Sequence, residues 1–400
     1  MFITRCIPLV VLLMLSAPTL LSSADNDLRS LRISFYDQEV EFTYDEGLTY
    51  PHRIRIEELA LRRLYNALDR RPYIEFLRSA QTHARALKLN DWLYAQLLSE
   101  ALANLYGEQQ DAPIVVYTTY FFLAKSGYDV RLTYRDREIY VNAYTQDVIY
   151  EVPLIQENGR KYANLSAPPG TGGQGRSMYL LNQQPNPQGR SFSFELNEWP
   201  ELLNDSRERS IAFQYRGRTY ELPVRYQAGL ARLLESYPLV NEYWYLDAPL
   251  SPELERTLVP QLGRMLQGLN TRQQLELLVA FTRSGFSYRD DKRAFGGNKP
   301  MIPDELFFYP YSDCEDRSAL FYALVKVLLD LPMVVIAYDD HLTIAVAAPG
   351  VQGDVVKYEG KSFLFCDPTG PQESSEIGQI PKGYEDRSFE IIGYHKGADQ

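Results

Sequence analysis

The sequence predicts an α+β chain with a helical and mixed N-terminal half, a strand-rich middle and a mixed C-terminal region. Three observations carry this. Residues 54–107 place apolar residues at helical spacing, residues 128–165 and 191–226 alternate like strands, and one apolar helix followed by several strands closes the chain. The chain has 400 residues, of which 45% are hydrophobic and 23% charged, the balance of an ordinary globular protein of two or three domains. Basic residues number 41 against 52 acidic, a net charge of -11, so no basic surface for nucleic acid is expected.

Residues 1–24 join Arg5 to an apolar run, Ile7 to Leu21, and end in Ser22-Ser23-Ala24. That is the pattern of a signal peptide cleaved after Ala24, which implies a secreted or periplasmic protein. An uncleaved anchor is the rival reading, but the run is short and holds Pro8 and Pro18. No later stretch is apolar enough to span a membrane, so no transmembrane segment is expected in the mature chain.

Residues 28–44 alternate (Ile33, Phe35, Val40, Phe42, Tyr44) as a hairpin would. From 54 to 107, Leu59, Leu61, Leu64 and Leu68 form one stripe, and Leu93, Leu97, Leu98, Ala101 and Leu105 another. Pro72 and Asn90-Asp91 divide the run into about three helices. Val115 to Lys125 reads as a buried helix stopped by Gly127, and Asn158-Gly159 as a hairpin turn. Together, 25–166 form the first region. Residues 167–190, rich in Pro, Gly, Gln and Asn, read as a linker or long loop. The strand-rich middle is 191–250, with an Arg-Gly turn and a helix at Ala228 to Ser236. Residues 251–400 form the last region, opening with helices at 252–269 and 271–283.

The scarce residues narrow the chemistry. Four His and three Cys exclude a disulfide framework and a Cys/His metal cluster. Ser312 and Glu315 have capping-box spacing, which puts Cys314 in the first turn of a helix. A helix start stabilises a thiolate, while Asp313, Glu315 and Asp316 oppose it. His341 opens a later strand, 27 positions on, and Asp367 ends another after 26 more. Cys, His and Asp are what thiol acyl transfer needs: a nucleophile, a proton carrier and a group that orients the imidazole. The plain alternatives are a core cysteine, a strand histidine and a turn aspartate; the agreement of the three outweighs them. Cys366 should face the core, with a Cys314–Cys366 disulfide as its rival. Arg317 is read as tying a loop through a salt bridge. His52, His83 and His395 are read as surface or packing residues.

The block Asp313-Cys314-Glu315-Asp316-Arg317, the strand His341 to Val346 and the end Asp367-Pro368-Thr369 resemble the transglutaminase-like superfamily, relatives of papain-like cysteine proteases. The resemblance covers about residues 251–395 and includes the stretch before Tyr311. It implies a transglutaminase-like (papain-like) C-terminal domain, with Cys314 as nucleophile, His341 as base and Asp367 as orienting group. It also implies an oxyanion-holding side chain upstream, for which Tyr288 and Asn298 are the candidates. The expected substrate is protein or peptide outside the cytoplasm. Hydrolysis is favoured on the resemblance alone. Cross-linking to an amine and a catalytically silent binding or scaffold protein are the alternatives, with sugar binding at Tyr243-Trp244-Tyr245 a minor one. Calcium serves some animal relatives, but no EF-hand-like loop occurs, so no cofactor and no metal is expected.

Sliding the chain by 204 lays Val130, Tyr134 and Asp136 on Val334, Tyr338 and Asp340. The first half then reads as a degenerate copy of the second. Its Cys slot falls near Gln110, its His slot on Asp136 or Arg137, and its Asp slot near Ser166. Any helix followed by a hairpin aligns comparably, and the sequence slightly favours that plainer reading.

Overall fold

The computed structural model describes residues 28–48, 53–107, 112–166, 177–370 and 376–398. The signal-peptide reading of residues 1–24 and the Gln110 slot lie outside them. The chain is mixed α+β and has two large hydrophobic cores. Among the described residues no helix is long and apolar enough to cross a membrane.

The first core begins with the antiparallel strands Leu28–Phe35 and Gln38–Asp45. Their alternation buries Ile33, Phe35, Val40 and Phe42 on one face. Helices Glu58–Asp69, Ile74–Ala86 and Asp91–Tyr106 follow. The first buries Leu61, Tyr65 and Leu68, whereas Leu59 is exposed, so the inward stripe is turned from the one the leucines alone suggest. The Asn90 side chain caps the third by accepting from the Leu93 amide at 3.0 Å. Helix Ala112–Lys125 is buried almost all round, as its continuous apolar run requires. It lies against a five-stranded antiparallel sheet in the order Leu154–Glu157, Arg160–Asn164, Glu138–Tyr144, Val130–Arg135, Tyr179–Leu180. Asn158 and Gly159, both at positive φ (50° and 79°), make the turn between the first two strands.

The second core repeats this plan. Strands Ser206–Tyr215 and Arg218–Gln227 pair through a two-residue turn, Arg216-Gly217, and bury Ile211, Phe213, Leu222 and Val224. Helices Pro252–Leu266 and Thr271–Gly285 pack on them. Asn270 caps the second of these, as Asn90 does in the first core. Helix Cys314–Leu328 occupies the centre. The sheet beside it runs Val355–Tyr358, Lys361–Cys366, His341–Val346, Met333–Tyr338, Glu390–His395, again all antiparallel. Strand for strand, this is the order of the first sheet.

Two boundaries differ from the sequence reading. The middle, 191–250, is not a unit: its long hairpin belongs to the second core, while Leu230, Leu233, Tyr237 and Val240 belong to the first. Residues 192–196 do alternate, burying Phe192, Phe194 and Leu196, but they form no ladder. The Phe192 amide donates to Tyr144 O (2.7 Å), but the next two go to side chains, Ser193 to Asp91 Oδ2 (2.9 Å) and Phe194 to Asp147 Oδ2 (2.6 Å). The described part of the 167–190 segment is docked rather than free. Tyr179–Leu180 extends the first sheet, and Gly189 packs so closely that a Cβ there would lie 2.5 Å from the Asp129 amide.

Candidate active site

Helix Cys314–Leu328 starts one residue later than the Ser312–Glu315 spacing suggests. Asp313 is the cap: its Oδ1 accepts the Glu315 amide at 3.1 Å, and Asp316 Oδ2 accepts the Asp313 amide at 2.9 Å. The run Ser-Asp-Cys-Glu-Asp offers both registers. Ser312 is drawn out of the capping role because Tyr311–Ser312 pairs with Ser287–Tyr288 in a short parallel ladder. Cys314 therefore occupies the first helical position, and it is 9% exposed. Burial is the main force pushing its thiol well above the ordinary value, with Asp313 and Glu315 adding to it. The Leu342 amide, next to His341, approaches the sulfur and opposes this only in part. The helix end thus does not yield a resting thiolate, and the acidic neighbours act in the opposing sense the sequence suggests.

His341 is the first residue of its strand, paired with Tyr338 across the tight turn. Its Nε2 lies 3.5 Å from Asp367 Oδ1 and 3.3 Å from Thr369 Oγ1. Tyr384 packs on the imidazole, with ring centres 4.8 Å apart, and its hydroxyl donates to Asp340 at 3.2 Å. Asp367 follows strand Lys361–Cys366 and is 3% exposed. Burial pushes its carboxyl up, but His341, the Thr369 hydroxyl and Arg283 together hold it below the ordinary value. Its Oδ1 accepts the Thr369 amide (3.1 Å) and hydroxyl (2.6 Å), and Arg283 donates to its carbonyl.

Cys314, His341 and Asp367 thus gather at the edge where the central helix begins. Tyr288, His341, Asp367, Thr369, Gly370, Pro381, Lys382 and Tyr384 line a pocket of about 230 Å³ there. Of the two oxyanion candidates, Tyr288 borders this pocket; Asn298 is exposed and does not. Cys366 points into the second core, and both described cysteines are free thiols, so the disulfide reading is set aside. Arg317 ties loops as expected, but through backbone oxygens rather than a salt bridge: Thr369 O (2.8 Å) and Phe286 O (2.5 Å). His83 Nε2 donates to Glu41 O (2.8 Å) and His395 pairs with Asp330 (3.0 Å), both away from the pocket; His52 lies outside the described residues.

Sequence reasoning missed the roles of Thr369, Arg283 and Tyr384. Thr369 stood in the quoted Asp-Pro-Thr end without a function, and the other two reach the site from distant segments. In the first sheet the pair closing the equivalent turn is Arg135–Glu138, so the position matching His341 is Glu138, not Asp136 or Arg137. The one- or two-residue slip comes from sliding the chain by a single offset.

Behind the site, Asp304 and Glu305 are each 1% exposed. Burial pushes their carboxyls up to about 6 and about 7, although Ser251 and Lys299 partly counter it. A carboxyl raised in the folded state holds a proton that the unfolded chain releases. Its contribution is complete below the ordinary carboxylate range and is lost as pH rises through the folded value. Stability should therefore fall between about pH 4 and pH 7. Denaturant midpoints measured in EDTA check this: Glu305→Gln should flatten the decline, and an unchanged slope would remove the assignment.

No family model matches the chain, and no curated protein or solved structure matches it either.

Proposed function

We propose that this protein is a transglutaminase-like cysteine hydrolase that cleaves amide bonds of protein or peptide substrates outside the cytoplasm. The observation that carries the reading is the approach of His341 Nε2 to Asp367 Oδ1 (3.5 Å), with the amide beside His341 reaching the Cys314 sulfur. Asp367 and Thr369 favour the imidazole tautomer with its proton on Nε2, leaving the lone pair on Nδ1.

Because the thiol rests protonated, His341 acts as general base during the attack. The Cys314 Sγ–carbon bond forms as the thiol proton moves to Nδ1 and the carbonyl electrons move to oxygen. Collapse breaks the C–N bond, and Nδ1 returns the proton to the leaving amine. Water, deprotonated by His341, then attacks the thioester; the C–S bond breaks and the thiol is restored. Asp367, held ionised, stabilises the imidazolium at each stage.

The matching strand orders of the two sheets support reading the first half as a non-catalytic copy, with Glu138 and Ser166 at the His and Asp positions. A silent scaffold is favoured by one observation, the raised thiol of Cys314. A mixed peptide library incubated with and without added amine separates the readings. Cleavage in both conditions is expected. Amine-sized mass gains would assign a transferase, and no Cys314-dependent change would favour the scaffold.

A further inference from the structure

The pocket beside His341 is unevenly charged. At neutral pH its charge-bearing residues are His341, Asp367 and Lys382. The Asp367 carboxylate is 3% exposed and turned to Thr369 (2.6 Å), His341 (3.5 Å) and Arg283 (3.9 Å), so it presents little charge to an incoming group. Lys382 is exposed, and among the described residues its ammonium has no hydrogen-bond or ion-pair partner. Glu385, its neighbour in the same turn, accepts the Gly383 amide instead (2.9 Å). We infer that this pocket is a subsite for an acidic side chain of the peptide, recognised by Lys382.

The walls suit one side chain. The pocket holds about 230 Å³, below the range of sites that bury a whole small ligand. Tyr288, Pro381 and Tyr384 offer it apolar surface. The Tyr384 ring is fixed in place. Its hydroxyl donates to Asp340 (3.2 Å), and the Arg387 guanidinium lies over it, 4.6 Å from the ring centre. The Arg387 charge is itself committed to Asp340 (2.7 Å), so it does not compete with Lys382 for a ligand.

Around Cys314 itself the sign reverses. Asp313 and Glu315 flank the sulfur, and Asp290, Asp291 and Glu242 lie close enough to act on them. An acidic side chain is repelled from that region and attracted at Lys382, which fixes the direction in which a peptide lies across the thiol. His341 hands its proton to the departing nitrogen, so the residue on the amine side of the scissile bond runs along the imidazole flank. That residue is the one the pocket receives. Because Lys382 is exposed, the attraction amounts to a factor of about three to five, weakened by salt.

The inference rests on the proposed hydrolysis and adds its substrate class, so its test has an arm that needs no turnover. N-iodoacetyl-glutamate amide and N-iodoacetyl-glutamine amide match in shape and differ in charge. Their rates of Cys314 alkylation are compared at low salt by peptide mass mapping, the neutral probe serving as the control for thiol reactivity. The glutamate-to-glutamine rate ratio should fall by about threefold to fivefold in Lys382→Gln and further in Lys382→Glu. In the second arm, peptides differing only in Glu or Gln on the amine side of the scissile bond should show the same shift in their kcat/KM ratio. Ratios unchanged in both Lys382 variants would overturn the subsite. A shifted alkylation ratio with every peptide left uncut would overturn the hydrolysis and retain the subsite. No alkylation by either probe would overturn both, because the pocket would then not lead to the thiol.

Discussion

Cys314→Ala and His341→Ala are each expected to abolish amide-bond turnover, lowering kcat/KM by about 10³-fold or more. The magnitude follows from the division of labour. Without the sulfur no thioester can form. Without the imidazole nothing nearby removes the proton from a thiol that burial and two carboxylates hold in its neutral form. Cys366 cannot substitute, because it is fully buried in the second core. Neither can His83 or His395, which are engaged elsewhere. Asp367→Asn should give an intermediate loss, since it keeps the shape but surrenders the charge opposite His341. Initial rates on a peptide cleaved by the unaltered protein measure all three. Full activity in Cys314→Ala would end the thiol reading.

Arg317→Met should have the largest effect on stability, about 3–5 kcal/mol. Arg317 is 3% exposed, and burial lowers its guanidinium to about 10. It nonetheless donates to Thr369 O and Phe286 O, and its charge lies 5.0 Å from the Tyr288 ring. One side chain thereby joins the central helix, the segment before Tyr288 and the end that carries Asp367. Methionine fills the space but leaves two buried carbonyls without donors. Arg317→Lys should rescue little, because a single ammonium cannot span both oxygens as the fork does. Urea midpoints check both variants; a loss under 1 kcal/mol for Arg317→Met would contradict the proposed tie.

Local rules made much of this fold readable. The period-two burial of Ile33, Phe35, Val40 and Phe42 and the positive φ at Asn158-Gly159 are set within a few residues, and both are visible in the sequence. So is the start of the central helix, to within one residue. Readings failed where a distant partner decides. Residues 192–196 alternate like a strand, yet Asp91 and Asp147 take the amides of Ser193 and Phe194. Leu59 reads as part of the inward stripe, yet it is exposed while Leu61, Tyr65 and Leu68 are buried. At the site, Cys314, His341 and Asp367 stand out because their residue types are rare or sit at element ends. Thr369, Arg283 and Tyr384 are common residue types, and only the folded chain brings them to His341 and Asp367.

The most direct measurement is the rate of Cys314 alkylation by iodoacetamide at neutral pH, followed by peptide mass mapping, in the unaltered protein and in His341→Ala. If His341 is the base for this thiol, the rate should fall by about 10²-fold or more in the variant. Equal rates in the two proteins would mean that His341 does not activate Cys314, and would contradict the proposed chemistry.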